Sequence, residues 1–421
     1  MHVLIIPSEE FVPKEMPTAG IFQHHQATIL KQAGHKIGVI SIRQSFSIAM
    51  LIRAGVYKMV SRKANNACDQ YSLKELLILG YRKAFKPQYF LQKEYIDDVP
   101  VFRIDGFYYT PPADNKNHFG WIKAGMAGYK EYVRNYGKPD LIHAHNSIYA
   151  GMLAQKIKSK FQVPYIITEM STAFARKIID KKALGRVKEA CNKSAIATAI
   201  SEPFCSLLND TFNFSRFECL PMVLDPNLER REYNAGAKKA TEFIFLNIAE
   251  LHPKKDHELL IKSFKKAYEV NQHMRLWIGG EGVLSAELKK LVETEHLGEV
   301  VRFLGLLTRQ EVYQYIIQSD CFVLPSKFET FGLVVIEAML FGKPVIVTKC
   351  GGPESFVTPD VGIVIEKESE EQLVQAMLNM TTNHLLYDTA AIRQYTLDHF
   401  GQDIFLQRVD TLYKKAIQAP L

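Results

Sequence analysis

One stretch of the sequence, residues 319–356, restricts the possible folds more than any other. It begins with a short apolar run, Cys321–Leu324, which has the length and composition of a buried strand. A loop follows, and Gly332 then opens a segment whose apolar residues recur at helical spacing. A second apolar run, residues 345–347, predicts the next parallel strand. The order strand, loop, helix, strand is a βαβ unit, which belongs to a parallel sheet covered by helices.

Two glutamates flank the start of this predicted helix. Glu329 lies in the loop, and Glu337 lies inside the helix, about five residues past Gly332 and so roughly 7–8 Å along its axis. The free N–H groups of Gly332 and Leu333, together with the helix dipole, favour a bound phosphate. A ligand with a phosphate in the middle and hydroxyl-rich rings at both ends fits this spacing. The pattern therefore favours a nucleotide sugar, and the plain alternative is a pair of solvated side chains.

Length and composition are typical of a globular protein with two or three domains. The chain has 421 residues, of which 47% are hydrophobic and 11% aromatic. No apolar run reaches the roughly 18 residues that a membrane-spanning helix needs, and Met1 leads directly into an apolar strand, which predicts no signal peptide. The six cysteines are scattered without a CxxC pair, which indicates a reducing compartment and no metal-ligand cluster. These features predict a cytoplasmic protein.

The stretch also resembles a known family. The sequence is ETFGL at 329–333, EAM at 337–339, GKPVI at 342–346 and GGPE at 351–354. This order resembles the E-x7-E signature of retaining glycosyltransferases with the GT-B fold, in glycosyltransferase family four (glycosyltransferase group 1). The resemblance implies an α/β protein with two doubly wound Rossmann-like domains facing across a cleft. It also implies transfer of a sugar to a hydroxyl with retained anomeric configuration, in polysaccharide, glycan or glycolipid biosynthesis.

The same resemblance implies the ligands and the mechanism. The donor is a UDP-sugar or GDP-sugar bound mainly by the second domain, and the acceptor is a glycan or lipid-linked molecule bound by the first. No cofactor and no metal are implied, because a lysine and helix-start amides neutralise the leaving diphosphate. No carboxylate nucleophile is clearly placed on the acceptor side, which fits a front-face mechanism in which the leaving phosphate takes the acceptor's proton.

Composition and pattern also predict domain boundaries. Residues 1–225 are expected to form the acceptor-side domain, with a basic insertion at 43–93, and the polar segment 226–241 to form a linker. Residues 242–400 are expected to form the donor-side domain. Residues 401–421 read as an amphipathic helix, which in this fold typically crosses back onto the first domain.

Two histidines stand at the end of a predicted strand, in the pattern D-x-x-H-x-H. Because His143 and His145 alternate, we expect them to face opposite sides of the strand or its end, and we expect Asn146 to start a helix. Ligands bind at the carboxyl ends of strands in open α/β sheets. The resemblance places His145 beside the transferred sugar and His143 in a supporting role. It also implies that Gly20, which has no Cβ, lets the first loop approach the donor phosphate closely; the alternative is a plain turn glycine.

A lysine-rich turn resembles the family's R-L-x-x-x-K-G element, whose basic residues bind the diphosphate. Lys255 stands at the lysine position, but Glu250 replaces the arginine, and Lys254 is the candidate to compensate. Met170 replaces a histidine of the family pattern, and Met222 replaces an asparagine. These departures favour an alternative slightly, a catalytically silent GT-B scaffold that binds sugars or partners. A nicotinamide oxidoreductase is disfavoured because no G-x-G-x-x-G follows the first strand.

The remaining donor contacts follow from the same resemblance. Gly279 and Gly280 belong to a G-G-x-G turn on the phosphate side, and Arg302 and Phe303 belong to a segment whose backbone pairs with the nucleobase in the family. The predicted catalytic residues are His145, Lys255 and Glu329, and the predicted donor-binding residues are Gly20, Gly279, Gly280, Arg302, Phe303, Phe331, Gly332, Leu333 and Glu337.

The basic insertion at 43–93 contains ten basic and two acidic residues, a net charge of +8, against +7 for the whole chain. Arg53, Lys58, Arg62 and Lys63 alternate with apolar residues, so a helix there could place basic side chains near lipid headgroups. This predicts peripheral contact with an anionic membrane or a polyanionic acceptor, and the alternative is a solvated helical face. No nucleic-acid-binding motif accompanies the charge, so nucleic acid is not a predicted partner.

Overall fold

The computed structural model describes residues 1–13, 20–47, 74–75, 78, 81, 91–108, 118–229 and 242–419. Within these residues the chain forms two separate sheets, each with helices on both faces. The first sheet is built from residues before the predicted linker and the second from residues after it. Each sheet therefore has the layered arrangement of a Rossmann-like domain.

The first sheet has eight strands. These are β1 (His2–Pro7), β2 (Lys36–Ser47), β3 (Leu91–Ile96), β4 (Val99–Tyr108), β5 (Leu141–His145), β6 (Tyr165–Glu169), β7 (Ile196–Ala199) and β8 (Phe217–Cys219). Their spatial order is β3-β4-β2-β1-β5-β6-β7-β8, and all neighbours are parallel except β3 with β4. The chain reverses its direction of progress between β1 and β5, and ligands bind at such a switch point in open α/β sheets.

Helices cover both faces of this sheet. They are α1 (Ile21–Gln32), α2 (His118–Tyr136), α3 (Met152–Phe161), α4 (Lys181–Lys193), α5 (Glu202–Phe212) and α6 (Pro226–Glu229). Alternate strand residues point to opposite faces, so Leu4 and Ile6 pack with α2 and α3, whereas Val3 and Ile5 pack with α1.

The second sheet has six strands, all parallel. These are β9 (Phe243–Ile248), β10 (Met274–Gly279), β11 (Val301–Gly305), β12 (Cys321–Leu324), β13 (Val345–Thr348) and β14 (Gly362–Ile365). The spatial order is β11-β10-β9-β12-β13-β14, a doubly wound order with its switch point between β9 and β12. β11 lies at one edge of the described sheet, so one side of its backbone carries no strand partner.

The remaining helices pack on this sheet or lead back to the first. They are α7 (His257–Val270), α8 (Ser285–Thr294), α9 (Arg309–Gln318), α10 (Leu333–Leu340), α11 (Glu370–Asn383), α12 (Thr389–Phe400) and α13 (Gln402–Gln418). The predicted βαβ unit of residues 319–356 is confirmed as β12, α10 and β13, with β12 and β13 paired in parallel.

Helix α13 packs on the first sheet, although it follows the whole second sheet in the chain. It lies against α1, β5 and β6, and contributes Phe405, Val409 and Tyr413 to the core beneath α1. Tyr413 is completely buried, and its hydroxyl lies 2.8 Å from Nδ1 of His143.

Much of the basic insertion lies outside the described residues. Strand β2 continues to Ser47 and β3 begins at Leu91, so both ends of the 43–93 segment are strands. Between them, Arg53, Lys58, Arg62 and Lys63 are not described, and the predicted amphipathic helix falls there too. No helix within the described ranges combines the length and apolarity needed to cross a membrane.

Candidate active site

The loop between β12 and α10 brings two predicted catalytic residues into contact. The Nζ of Lys255 forms an ion pair with Oε1 of Glu329, and both side chains are largely buried. Ser326 donates to the same carboxylate oxygen at 3.1 Å. The Glu329 backbone N–H donates to the carbonyl of Cys350, which fixes the loop against the turn after β13. One carboxylate and one ammonium are thus held together beside the start of α10.

Gly332 sets the direction in which α10 begins. Its φ of 93° lies in the left-handed region, and a Cβ there would lie 3.0 Å from Cγ of Pro353. Both facts favour glycine at this position. The backbone N–H groups of Gly332 and Leu333 stand at the start of the helix, as predicted for a phosphate site.

The side chain of Phe331, a predicted donor-binding residue, is buried among other aromatic rings and does not face a ligand site. It is 2% exposed and packs on Phe356 and Phe400, with ring centroids 5.3 and 5.6 Å away. Its backbone alone is therefore positioned to meet a donor, because the ring belongs to an aromatic cluster between the two sheets.

Glu337 lies inside α10 and forms a pair that the sequence analysis did not include. Its side chain is 1% exposed, and Oε1 accepts a hydrogen bond of 2.6 Å from Nη2 of Arg309, on α9. Burial raises the pKa of the Glu337 carboxyl, and the Arg309 guanidinium opposes that rise. The pairing holds the carboxylate in one orientation and leaves its second oxygen without an arginine contact.

Arg309 and Glu337 belong to a wider polar chain that reaches the first sheet. The Arg309 guanidinium lies 5.0 Å from the ring centre of Tyr313, whose hydroxyl donates to Asp225 at 3.0 Å. Asp225 in turn lies 3.7 Å from Nε2 of His25 on α1. Burial lowers the pKa of His25 to about 4, although Asp225 works in the opposite direction. This chain joins the predicted ribose-binding carboxylate to the acceptor side.

Sequence reasoning missed Arg309 because its local pattern has another explanation. Thr308 and Glu311 form a capping box at the start of α9, which makes a neighbouring arginine look like a solvated first-turn residue. The signal that could have identified Arg309 is its place shortly after a predicted strand, because residues at the carboxyl ends of parallel strands lie near the site.

On the acceptor side, β5 ends at His145. The expectation that His143 and His145 face opposite sides is wrong, since their ring centroids are 4.5 Å apart. Residues two apart in a strand share a face, because the side-chain period of a strand is two. His143 contacts Gln26, Tyr413 and Thr168 through its ring nitrogens. These contacts fix the ring of His143, and its supporting role in the site remains a prediction.

His145 is fully buried beside Phe22, with ring centroids 5.8 Å apart. Burial lowers its pKa to about 3, so the ring is neutral at physiological pH. Neither ring nitrogen has a hydrogen-bond partner among the described residues. A neutral imidazole with two uncommitted nitrogens can bind a hydroxyl, although the ring has no contact with solvent in this structure.

Asn146 precedes a helical segment, as predicted, but the first turn of that segment is irregular. Ser147–Gly151 forms a π-helical turn with non-helical backbone angles at Ile148 and Tyr149, and the regular helix α3 begins at Met152. Asn146 and Tyr149 have φ values of 69° and 67°, which are costly for residues with a Cβ. The buried carboxylate of Glu169 accepts hydrogen bonds from the backbone of Ser147, at 2.8 Å, and of its own strand end. The strained loop therefore exists because neighbouring groups hold it.

Contacts across the cleft involve the same donor loop. The Thr330 hydroxyl donates to the carbonyl of Met170 at 2.9 Å, and the Ser201 hydroxyl donates to the Thr330 carbonyl at 2.8 Å. Met170, which departs from the family pattern, thus contacts the donor side through its backbone. The loop that carries Glu329 is closed onto the first domain.

Gly20 stands at the start of α1, with a φ of 67°. A Cβ there would lie 3.0 Å from the carbonyl oxygen of Glu10 and 3.3 Å from the backbone nitrogen of Val12. The glycine is therefore required by the turn itself. Its predicted approach to the donor remains a prediction.

The glycine turn after β10 also has a structural reason. Gly280 has a φ of 125°, and a Cβ there would lie 2.0 Å from the carbonyl oxygen of Ala249. Its N–H already donates to the carbonyl of Gly305 at 2.8 Å, so it is not free for a phosphate. At Gly279 a Cβ would lie 2.7 Å from Leu307. Close packing of three strand ends explains both residues.

Arg302 and Phe303 lie on β11, the edge strand. Arg302 is exposed, and Phe303 is half-buried with the Nζ of Lys289 6.0 Å from its ring centre. Among the described residues no strand pairs with the outer side of β11. The role of this segment in binding a nucleobase remains a prediction.

Glu250 does not leave Lys254 free to compensate for the missing arginine. Lys254 Nζ lies 3.1 Å from Oε2 of Glu250, so the two charges offset each other. Lys255 is therefore the basic residue of this turn that reaches the Glu329 loop.

The chain is similar to known proteins both in sequence and in fold. Residues 229–395 match the family model described as "Glycosyl transferases group 1". The chain is 25% identical over 385 residues to the putative teichuronic acid biosynthesis glycosyltransferase TuaC of Bacillus subtilis, covering 90% of this chain and 88% of that protein. It is 22% identical over 334 residues to the alpha-monoglucosyldiacylglycerol synthase of Acholeplasma laidlawii, covering 70% and 82%.

Among solved structures, the chain is similar to HepE of Anabaena in complex with UDP. The TM-score is 0.69 at 16% identity, over 98% of this chain and 100% of that chain. The fold is therefore GT-B, an α/β architecture of two Rossmann-like domains, as predicted. The family model and the names of the relatives support a glycosyltransferase of group 1.

Proposed function

We propose that this protein is a retaining hexosyltransferase that moves a sugar from a nucleotide diphosphate sugar to a hydroxyl of a glycan or lipid-linked acceptor. The observation that carries the proposal is the contact between Lys255 and Glu329 at the start of α10, with Glu337 buried eight residues further on. This arrangement offers one carboxylate to the sugar, one to the ribose, and an ammonium with two helix-start amides to the diphosphate.

The roles follow from charge. Negative charge grows on the leaving diphosphate in the transition state, and the Lys255 ammonium with the N–H groups of Gly332 and Leu333 is placed to stabilise it. Glu329 binds hydroxyls of the transferred sugar and Glu337 binds the ribose. The neutral ring of His145 serves the transferred sugar from the acceptor side. The proposal uses no metal, because this set of groups supplies the positive charge.

A front-face mechanism suits the acceptor side. Glu169 is completely buried, and its two oxygens accept hydrogen bonds from the backbone of Ser147, Met170 and Ser171. A carboxylate so engaged is a poor nucleophile. The leaving phosphate is then the base that takes the acceptor's proton.

The donor and acceptor classes are proposed from the relatives. HepE is a structural neighbour that binds UDP, which makes a UDP-sugar the first donor to test, before a GDP-sugar. The relatives include a glucosyltransferase of a diacylglycerol lipid and a teichuronic acid enzyme. Both favour acceptors in glycan or glycolipid biosynthesis.

Thermal shift with nucleoside diphosphates tests the proposal directly. A ligand that binds only the folded state raises Tm, so UDP or GDP should raise it, and the corresponding nucleoside, which lacks the diphosphate, should raise it less. Donor hydrolysis is then measured for the wild type and for Lys255→Ala. Because Lys255 acts on charge that develops in the transition state, its loss should lower kcat more than donor affinity.

Lys254→Ala is the matched control, since Lys254 is adjacent and paired with Glu250. An unchanged kcat in Lys255→Ala would remove Lys255 from the mechanism. If the wild type binds nucleotides but neither hydrolyses nor transfers the sugar, the alternative of a silent scaffold is favoured. The observation that supports this alternative is the Glu250–Lys254 ion pair, which stands where the family has an arginine.

A further inference from the structure

The helices on the two faces of the first sheet differ strongly in charge. Helices α2, α3 and α4, which lie side by side and form one basic helical face, contain eleven basic and two acidic residues, a net charge of +9. Helix α5, farther along the same side of the sheet, contains two acidic residues and no lysine or arginine. Helices α1 and α13, on the other face, contain four basic and two acidic residues. The net charge of the whole chain is +7, so this basic helical face carries more positive charge than the rest of the protein, whose net charge is negative.

Several of these charges are not neutralised by neighbours. Lys130, Lys156 and Lys160 are exposed, and none forms an ion pair with a described acidic residue. The two acidic residues of the face are already paired, Glu131 with Arg134 at 2.9 Å and Glu189 with Lys193 at 2.7 Å. The lysines therefore create a positive potential over the face.

An apolar stripe runs among the lysines. Phe119, Ile122 and Met126 follow one another at helical spacing on α2, and Phe119 is 64% exposed. Phe119 and Ile122 line two adjoining grooves of about 710 and 590 Å³, Met126 lines the smaller one, and Lys156 of α3 borders both. An exposed ring alone is common, but apolar side chains that lie together among these exposed lysines form a candidate contact surface.

We propose that the α2–α3–α4 face docks on an anionic lipid bilayer, with Phe119 entering the headgroup region and the lysines binding lipid phosphates. A soluble polyanion would use the charge alone and would leave the apolar stripe unused. A bilayer interface uses both, because interfacial surfaces combine apolar side chains with lysines that reach the headgroups.

The position of the face suits the proposed function, on which this step rests. Helix α3 starts at Met152, directly after the loop that follows His145, and Met152 lines the larger groove. A bilayer on this face would therefore lie beside the acceptor side of the cleft. A lipid-linked acceptor could then enter without leaving the membrane surface.

The experiment is co-sedimentation of the full chain with vesicles of phosphatidylcholine, alone or with about one-third phosphatidylglycerol. The wild type should sediment with the anionic vesicles at low salt and be released at high salt. The triple variant Lys130→Glu, Lys156→Glu, Lys160→Glu should bind the anionic vesicles at least about a hundredfold more weakly than the wild type. Each reversal turns an attractive charge into a repulsive one. Phe119→Ser should weaken binding to vesicles but not to a soluble polyanion such as heparin.

A matched control reverses three exposed lysines elsewhere, Lys266→Glu, Lys290→Glu and Lys414→Glu, and should bind vesicles like the wild type apart from a small general effect of net charge. Equal binding by the first triple variant would overturn the assignment, and reversal of Arg53, Lys58, Arg62 and Lys63 would then test the insertion as the source. Wild type that ignores anionic vesicles, or a Phe119→Ser variant without effect on them, would also overturn it.

UDP thermal shift on the same samples separates this proposal from the proposed function. A protein that binds UDP but not vesicles refutes the docking face alone. A protein that binds vesicles but neither UDP nor GDP refutes the proposed function alone.

Discussion

Glu329 and Glu337 have different partners, and this difference should separate their effects on binding. Glu337→Ala should weaken UDP binding by about 1–3 kcal/mol, the scale of lost hydrogen bonds to a charged group. Glu329→Ala should reduce turnover of the sugar donor and spare binding of bare UDP, because its proposed partner is the sugar. Calorimetry with UDP and initial rates with the donor measure the two effects.

Equal losses of UDP affinity in the two variants would contradict this assignment of ends. Folding of each variant is checked by its urea midpoint, since Glu337 is buried and Glu329 is not fully so. A variant that loses both stability and binding would be replaced by its glutamine counterpart, which keeps the shape.

Arg309 should matter for the ribose in particular. Arg309→Gln removes the 2.6 Å hydrogen bond that orients Glu337, so UDP affinity should fall by about 1–3 kcal/mol. The loss should be much smaller for 2′,3′-dideoxy-UDP, which has no ribose hydroxyls to bind. Calorimetry with the two ligands gives the comparison.

Arg275→Gln is the matched control, because Arg275 pairs with Glu242 at the opposite end of β10. It should leave the ratio of the two affinities unchanged. If Arg309→Gln weakens both ligands equally, the arginine stabilises the domain and does not serve the ribose.

Residues of the site were predictable where a local motif carried them and not where the fold did. Glu329 and Glu337 were predicted from their spacing around a helix, and Lys255 was predicted from the resemblance of its turn to the family's element. Arg309 was missed because nothing in its local sequence points to a carboxylate 28 positions away. The prediction that His143 and His145 face opposite sides was wrong for a simpler reason. Side chains two residues apart in a strand point to the same face.

At the scale of elements, the turn after β10 depends on one glycine. Gly280→Ala would place a Cβ 2.0 Å from the Ala249 carbonyl oxygen, at a φ of 125°. The strand ends would have to separate, so the free energy of unfolding should fall by more than about 2 kcal/mol. Urea denaturation measures this.

Gly298→Ala provides the control, because a Cβ there meets no atom within 4 Å and its φ is not positive. It should change stability by less than about 1 kcal/mol, in either direction. Similar losses in both variants would show that the contact at Gly280 is relieved at little cost.

Elements with regular apolar patterns were predicted well, and the irregular loop after β5 was not. The runs at 321–324 and 345–347 match β12 and β13 almost residue for residue. The loop at Ser147–Gly151 depends instead on hydrogen bonds to Ser8 and Glu169, which are distant in sequence. No local pattern contains that information.

At the scale of the whole molecule, buried histidines should make stability depend on pH. Burial lowers the pKa of His145 to about 3, and of His25 and His257 to about 4, against an ordinary value of 6.5. Above pH 6.5 these rings are neutral in both folded and unfolded chains. Below it the unfolded chain binds protons that the folded chain does not, so stability falls as pH decreases from 6.5 towards 4.

The slope should be up to about 1.4 kcal/mol per pH unit for each histidine in this window. His257→Leu should remove one such contribution, since the His257 ring is buried with no hydrogen-bond partner among the described residues. Urea midpoints between pH 7 and 5 measure the slopes. An identical slope in His257→Leu would mean that this ring is protonated in the folded protein.

Periodicity predicted single strands and one βαβ unit, and the family resemblance implied the two Rossmann-like domains, whereas the contact between the two sheets was not predictable. The hydrogen bonds of Thr330 with Met170 and Ser201 join loops 129 or more residues apart, on opposite sides of the cleft. Such contacts depend on how the two domains are placed relative to each other. The local sequence of each loop contains no signal for them.

The return of α13 to the first sheet has a consequence for synthesis on the ribosome. Tyr413 completes the hydrogen bonds of His143 and, with Phe405 and Val409, closes the core beneath α1. The first sheet is translated first, but this part of its interior stays uncovered until the second sheet has been translated as well. The core beneath α1 therefore cannot be completed while the amino-terminal domain alone has emerged, in contrast to the usual folding of domains as separate units. A nascent chain released before residue 402 would expose the apolar groove under α1 to chaperones.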